Sequence, residues 1–284
     1  MTQRSTNALL GYADDARLLI VNADDFGMCH AVNEAVLQGF TRGIITSTSL
    51  MVPCAWAPDA MRILDDHPEL PFSVHLTLVS EFGGYRWGPV ASKDRIASLI
   101  DASGYFPVYD QIPDLLARAD IGEVEIEFRA QIEAALAAGL TPSHLDWHCI
   151  ADGGREDIFD LCYRLAREYG VAMRIHRSGH AERLRREGLP VVDHDVLDSY
   201  HMGFEDKANR FAALLRALPP GLTEWAVHPS LGDDESRAIE PETWQIRRAD
   251  HDFVTSPEAR DLIDELGIVL LDYRALQTVW NVGN

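Results

Sequence analysis

The sequence predicts an α/β fold built on a mainly parallel sheet with covering helices. Short β-rich runs alternate with amphipathic segments over nearly the whole chain, with no internal repeat or low-complexity tract. Several of the apolar runs also carry an acid or a histidine near their C-terminal ends. Strand–helix alternation of this kind implies parallel pairing, because each return to the sheet needs a crossover.

LLIVNA at 18–23 reads as the first strand, followed by HAVNEAVLQGFTRG, where Val32, Ala35, Val36 and Phe40 recur at helical spacing. TSTSLMV at 46–52 is the next strand, then a helix from Pro58 to His67, then the strand FSVHLTL at 72–78. EVEIEFRAQIEAALAAG at 123–139 is rich in good helix formers and ends at Gly139, a natural stop. SHLDWHC at 143–149 reads as a strand, followed by a helix near 156–169 and the strand VAMRI at 171–175. Late in the chain WAVH at 225–228 and IVLLD at 268–272 read as strands, with a helix from Pro257 to Leu266 between them. The exception is 79–122, rich in Gly, Pro and aromatic residues, which reads as an irregular insertion that is either functional or a packing excursion.

At 284 residues the chain can fill one barrel-sized domain or two smaller ones, and the continuous alternation favours a single domain over 1–284. The 46% hydrophobic and 25% charged content is ordinary for a globular protein. A formal net charge of -20 argues against nucleic acid or an anionic membrane as partner, although acidity also serves solubility. No apolar run approaches the roughly 20 residues of a membrane-spanning helix. Cys29, Cys54, Cys149 and Cys162 lack CxxC spacing, and the N-terminus lacks the apolar core of a secretory signal, so a cytoplasmic protein with free thiols is expected.

The chemistry-bearing residues cluster at the strand ends. The first strand runs into Asp24 and Asp25, the 72–78 run contains His75, and SHLDWHC holds His144, Asp146 and His148; WAVHPS adds His228 before Pro229. In parallel α/β sheets ligands sit at the C-terminal ends of strands, where successive loops converge. Each residue also has a plainer reading. The two aspartates suit a helix N-cap or turn, His75 suits a buried histidine bonded to a carbonyl, and His228 suits a surface histidine before a turn. His144, Asp146 and His148 share one strand face, where a core role would gather several polar groups without evident compensation. A metal ion provides that compensation. A carboxylate with two imidazoles is a common set for Zn²⁺ or a neighbouring divalent ion, which can activate water and polarise a carbonyl. Hydrolysis further needs a base and an acid, and one extra carboxylate and one extra histidine are at hand.

VNADDFG, VHLTL, SHLDWH and VHPS resemble, in order and approximate spacing, the motifs of the ChbG/HpnK family of YdjC-like carbohydrate deacetylases. GIITSTSLMV, SLIDASGYF and VAMRI add to the likeness, which covers roughly residues 17–275. The resemblance implies a distorted TIM-like (β/α) barrel of the polysaccharide-deacetylase type, carrying one divalent metal ion and removing acetyl groups from N-acetylated sugars. Carried over motif by motif, Asp25, His75 and His148 match the metal ligands, Asp24 the general base and His228 the general acid. Arg174 matches a strand-end arginine near the base, and with Trp147, Tyr85 and Trp87 it is a candidate for substrate contact. The metal implied is Zn²⁺ or Mg²⁺, with Co²⁺ or Mn²⁺ as substitutes; the partner is a small acetylated carbohydrate, and a homodimer is compatible with the sequence. Where the family often continues DSHxHxH, this chain has DWHCIAD, which loses two histidines and sets Trp147 and Cys149 around the ligand. That departure and the aromatic residues Phe82, Tyr85, Trp87, Tyr105 and Phe106 of the insertion point to a distinct sugar preference. A metal-dependent sugar isomerase and a non-catalytic carbohydrate-binding protein are the rival readings; acetate release separates both from a deacetylase.

Overall fold

The computed structural model of the protein describes residues 4–176 and 178–282. Among them eight strands form one parallel sheet: β1 (Arg17–Phe26), β2 (Ser47–Leu50), β3 (Phe72–Leu76), β4 (His144–Trp147), β5 (Ala172–Met173), β6 (Leu197–Asp198), β7 (Gly221–Val227) and β8 (Val269–Leu270). The order along the sheet is β5-β4-β3-β2-β1-β7-β6. β1 is its spine. Every residue from Leu18 to Phe26 is buried, and β7 pairs with it from Arg17↔Gly221 to Ala23↔Val227. Its other edge is shared, β8 pairing at Leu18 and Leu19 and β2 from Asn22 onward. Continuous burial on both faces explains why LLIVNA reads as an unbroken apolar run rather than an alternating one.

The parallel sheet with covering helices is as expected, but the barrel does not close. β5 and β6 are two residues each, and among the described residues they do not pair. Two-residue strands offer too few ladder groups to bridge that side, so the sheet is a curled, open half-barrel.

The expected strands are present, the first and that at 225–228 longer than expected, whereas 46–52, 72–78 and 143–149 each leave the ladder before their last residues. The helix expected at 123–139 is Ile121–Ala137, begun two residues earlier by Asp120, whose side chain accepts from the Gly122 and Glu123 amides. The sequence pattern points to no element in 176–224 or 229–256. Those stretches contain β6, the start of β7 and the helices Ser178–Arg186, Lys207–Arg216, Asp234–Ile239 and Trp244–Val254. The last of these is hidden because its buried face carries Arg247, Asp250 and His251 beside Phe253 and Val254. A helix that turns charges inward has no readable apolar stripe.

The insertion at 79–122 is anchored to the helix Ile121–Ala137. Buried Glu127 accepts from the Val90 and Ala91 amides, Glu123 accepts from Ser98, and Gln131 bonds both Glu127 and the Thr77 backbone. These three side chains are four residues apart and form one polar stripe along the helix. Phe106 joins the core, whereas Tyr105 lies exposed against Arg86 and Lys93. All four cysteines are free, and no described helix is long and apolar enough to cross a membrane.

His144 of β4 lies in the core, its ring stacked on Tyr273 at 3.6 Å between centroids. Burial pulls its pKa down to about 3, against the opposing charge of Asp146. The unfolded chain takes up this proton near pH 6.5. As pH falls from there toward 3 the unfolded state gains a proton that the folded state refuses, and this group costs about 1.4 kcal/mol of stability per pH unit. We therefore expect His144→Phe, which keeps an aromatic face against Tyr273, to lose stability less steeply than wild type between about pH 6 and 4. Urea denaturation across that range measures it; parallel slopes would show that His144 is not the group responsible.

Candidate active site

β1 delivers two adjacent acids to one place by bending. Its register with β2 slips between Ala23 and Phe26, and Asp25 adopts φ 69°, a left-handed value rare for a residue with a side chain. Side chains that would alternate across a regular strand are thereby both turned to the cleft. The turn is centred on Asp25. Gly27 completes it with φ 97°, in a spot where a Cβ would sit 3.1 Å from the Ala57 Cα. Strain of this kind costs on the order of 1–3 kcal/mol and persists only where surroundings impose it.

Asp25, His75 and His148 come together. Asp25 Oδ1 lies 3.5 Å from His75 Nε2 and 3.2 Å from His148 Nδ1, and one donor atom from each residue lies within 4.8 Å of the others. His75 faces Asp146 across the β3–β4 ladder, and its Nδ1 lies 2.8 Å from Asp146 Oδ1. That contact fixes Nδ1–H as the donor and turns Nε2 toward Asp25. His148 comes just after β4, its amide donating to the Leu76 carbonyl before the chain turns at Cys149 with φ 60°. His144 stays in the core, so the three same-face residues have separate fates: one packs, one orients His75, and one joins the donor set.

Two buried arginines hold the acids. Arg174 donates from Nη1 and Nη2 to the two oxygens of Asp24 at 2.8 and 2.9 Å, and from Nε to Glu224 at 2.7 Å. Asn22 donates to Asp24 as well, at 2.7 Å, and Tyr273 donates to Glu224. Arg247 donates to Asp25 Oδ2 at 2.6 Å and pairs with Glu240 and, at 3.3 Å, with Glu81. Asp25 thus keeps Oδ1 toward the histidines while Oδ2 is taken. On the other side of the cleft His228 Nδ1 lies 3.2 Å from Ser199 Oγ, and Ser199 donates to Asp250. A hydroxyl that donates to Asp250 must accept from His228, so Nδ1 carries hydrogen and Nε2 is the ring nitrogen left free of that bond. Asp250 also accepts from the His228 amide at 2.8 Å and pairs with buried Lys207.

The electrostatics favour a cation. Burial alone would raise the Asp25 carboxyl, but the charge of Arg247 and the bonds from His148 and His75 hold it well below its usual value. Asp24 is likewise raised by burial but brought below its usual value by Arg174. Burial lowers His148, against the bond and charge of Asp25. His75 moves the other way: burial opposes its charge, yet Asp146, Asp25 and Asp24 push it up to about 10. Glu81, at the rim, is raised to about 8 by burial. A ring that gathers a proton against burial marks a spot where positive charge is wanted. An Asp–His–His set with one carboxylate oxygen and two imidazole nitrogens fits a divalent ion there.

The cleft encloses about 920 Å³ and is lined by Asp24, Asp25, His75, His148 and His228 together with Phe82, Tyr109, Trp147, His176, Asp198, Tyr200 and Ile239. Of the four candidate substrate contacts, Trp147 and Arg174 reach it, but Arg174 is 1% exposed and its guanidinium is spent on Asp24, Glu224 and Asp146, so it positions the acids instead. Tyr85 and Trp87 do not line the cleft. Trp87 is buried with Nε1 on the Val79 carbonyl and its ring edge-on to His148, and Tyr85 donates to the Met28 carbonyl. Both pack behind the donor set. Sequence reasoning missed Arg247, Asp250, Ser199, Glu240 and Glu224. The last was legible, since Glu224, Ala226 and His228 alternate toward one face of an otherwise apolar run.

A profile of the YdjC-like protein family matches residues 18–265. Among similar proteins is a Thermoanaerobacter pseudethanolicus protein named carbohydrate deacetylase, 29% identical over 92% of this chain and 100% of its own length. A Thermus thermophilus protein of the same name is 34% identical over 88% of this chain and 90% of its own. A crystal structure of an Enterococcus faecalis protein assigned to cellobiose-phosphate cleavage superposes with a TM-score of 0.79 at 26% identity, covering 92% of this chain and 99% of the other.

Because Asp146 orients His75, Asp146→Asn is expected to weaken divalent-metal affinity by roughly 10–100-fold with the fold retained. Chelator competition measures the affinity and circular dichroism checks the fold. Unchanged affinity would show that the His75–Asp146 bond is not what aims Nε2.

Proposed function

The chain belongs to the YdjC-like family, and from that premise and the site geometry we propose that it is a metal-dependent deacetylase acting on an N-acetylated amino sugar or short oligosaccharide. The observation that carries the reading is the meeting of Asp25, His75 and His148 in one cleft with Asp24 and His228. Binding alone needs no such acid–base pair. In this reading Asp25 Oδ1, His75 Nε2 and His148 Nδ1 hold a divalent cation, and two imidazoles among three ligands favour Zn²⁺ over Mg²⁺. When bound, that ion lowers the pKa of a coordinated water and polarises the acetyl carbonyl.

The remaining work falls to the protein's own groups. Asp24 accepts the proton of the attacking water; Arg174 keeps it ionised and fixes the plane of its carboxylate. Hydroxide adds to the carbonyl carbon, the C–N bond breaks, and the departing nitrogen takes the Nε2 proton of His228. Ser199 and Asp250 keep that ring oriented by binding Nδ1 and the backbone amide. The products are acetate and a free amine. Phe82, Trp147 and Tyr200 give the cleft flat apolar surfaces suited to a pyranose face. The four free thiols support a cytoplasmic setting for the reaction.

Three substitutions separate the roles, scored by acetate release from a panel of N-acetylated mono- and disaccharides and by elemental analysis. Asp25→Asn is expected to empty the metal site. Asp24→Asn and His228→Ala should keep the metal and lose roughly 10²–10⁴-fold in turnover. An Asp24→Asn protein that has lost its metal, or a His228→Ala protein at full rate, would break this division of labour.

A further inference from the structure

His148 presents its two ring nitrogens to different neighbours. Nδ1 faces Asp25 Oδ1 at 3.2 Å, whereas Nε2 faces the thiol of Cys149 at 3.3 Å. Glu81 completes a second set, with one donor atom each from Glu81, His148 and Cys149 lying within 4.8 Å of one another. Glu81 and Cys149 both line the cleft, so the set is open to solvent. Cys149 reaches it through a left-handed backbone turn at φ 60° directly after the ligand, and it occupies the sequence position where DWHCIAD departs from the histidine-rich pattern.

A thiol, an imidazole and a carboxylate make a soft-to-borderline N/O/S set. Zn²⁺ accepts such ligands with a fourth position left open, whereas Mg²⁺ and Mn²⁺ prefer oxygen. We propose that Glu81, the Cys149 thiolate and Nε2 of His148 form a second, zinc-selective site that shares His148 with the first as a bridging imidazolate, the thiol and Nε2 protons passing to solvent as zinc binds, and that inhibits the enzyme when filled. Two consequences of occupancy account for the inhibition. The second ion stands in the substrate cleft, and it draws Glu81 away from Arg247, the side chain that holds Asp25. The inference rests on the reading of the first site in one respect, that His148 Nδ1 is engaged there.

The test is equilibrium dialysis of the full chain against Zn²⁺ and, separately, Mn²⁺, for wild type and Cys149→Ser. The expected result is two zinc ions per wild-type chain, one per Cys149→Ser chain, and one manganese ion in both. Loading with Co²⁺ should give a thiolate-to-cobalt charge-transfer band in wild type that Cys149→Ser lacks. Excess zinc should slow wild-type acetate release, and Cys149→Ser should need at least about 10-fold more zinc for the same effect. One zinc ion in wild type, a second ion retained by Cys149→Ser, equal zinc sensitivity of the two proteins, or a missing charge-transfer band would overturn the second site. If neither protein releases acetate from any sugar but the two-against-one stoichiometry appears, the second site stands and the deacetylase reading falls. Acetate release with a single zinc ion in wild type does the opposite: the deacetylase reading stands and the second site falls.

Discussion

The site depends on the neutralisation of buried carboxylates by two buried guanidiniums. Asp24, Asp25, Asp146, Glu224 and Glu240 are all buried, and Arg174 and Arg247 are the arginines that reach them. In low dielectric a lone ionised carboxylate is expensive, and removing one partner of a buried pair typically costs about 3–5 kcal/mol. The arginines make it possible for Asp24 and Asp25 to be neighbours at all, each arginine taking one aspartate and tying it to a glutamate further away. The neutralisation is incomplete, however. His75 makes up part of the remainder by holding a proton far above its ordinary pKa, and a divalent ion satisfies the same deficit with charge to spare. The fit of the cleft to a cation is in this sense built into the packing around β1, β3, β5 and β7.

A second constraint is that one helix serves both sides of the cleft. Arg247 and Asp250 lie three residues apart on Trp244–Val254 and so occupy one face. The first holds Asp25, and the second holds His228 through its amide and through Ser199. Lys207, from the helix Lys207–Arg216, pairs with Asp250 and donates to the Ile246 carbonyl, which ties the arrangement to the wall of the fold. The distance between Asp25 and His228 is therefore set by the rigidity of a single helical turn rather than by the loops that carry them.

That helix also shows where sequence reading stops. Asp24, Asp25, His75, His148 and His228 stand out because each interrupts or ends an apolar run, and contrast makes a polar residue conspicuous. The same contrast exposes Arg174 at the end of VAMRI. Arg247 and Asp250 sit in WQIRRADHDFV, among other charges, where nothing distinguishes a buried arginine from the exposed Arg248 beside it. The strands were legible from composition but not in length, because residues such as Thr77 and His148 leave the ladder to form loops. Barrel closure was not legible at all. It turns on β5 and β6 being only two residues long, which depends on tertiary pairing and not on local propensity.

The insertion at 79–122 is best understood through the same contrast between anchored and free polar groups. Its middle is pinned by Glu127 and Glu123 to the helix behind it, and Trp87 is packed edge-on against His148. A segment so tied cannot lift as a whole without exposing Glu127, whose burial is offset by two amides and Gln131. What stands over the cleft is its first few residues, Glu81 to Gly84, and Tyr109. Gly83 and Gly84 have open space where a side chain would point, whereas the body of the insertion is held by these bonds. Trp147 and Tyr200 line the same cleft as this short rim, together with the anchored acids Asp24 and Asp25.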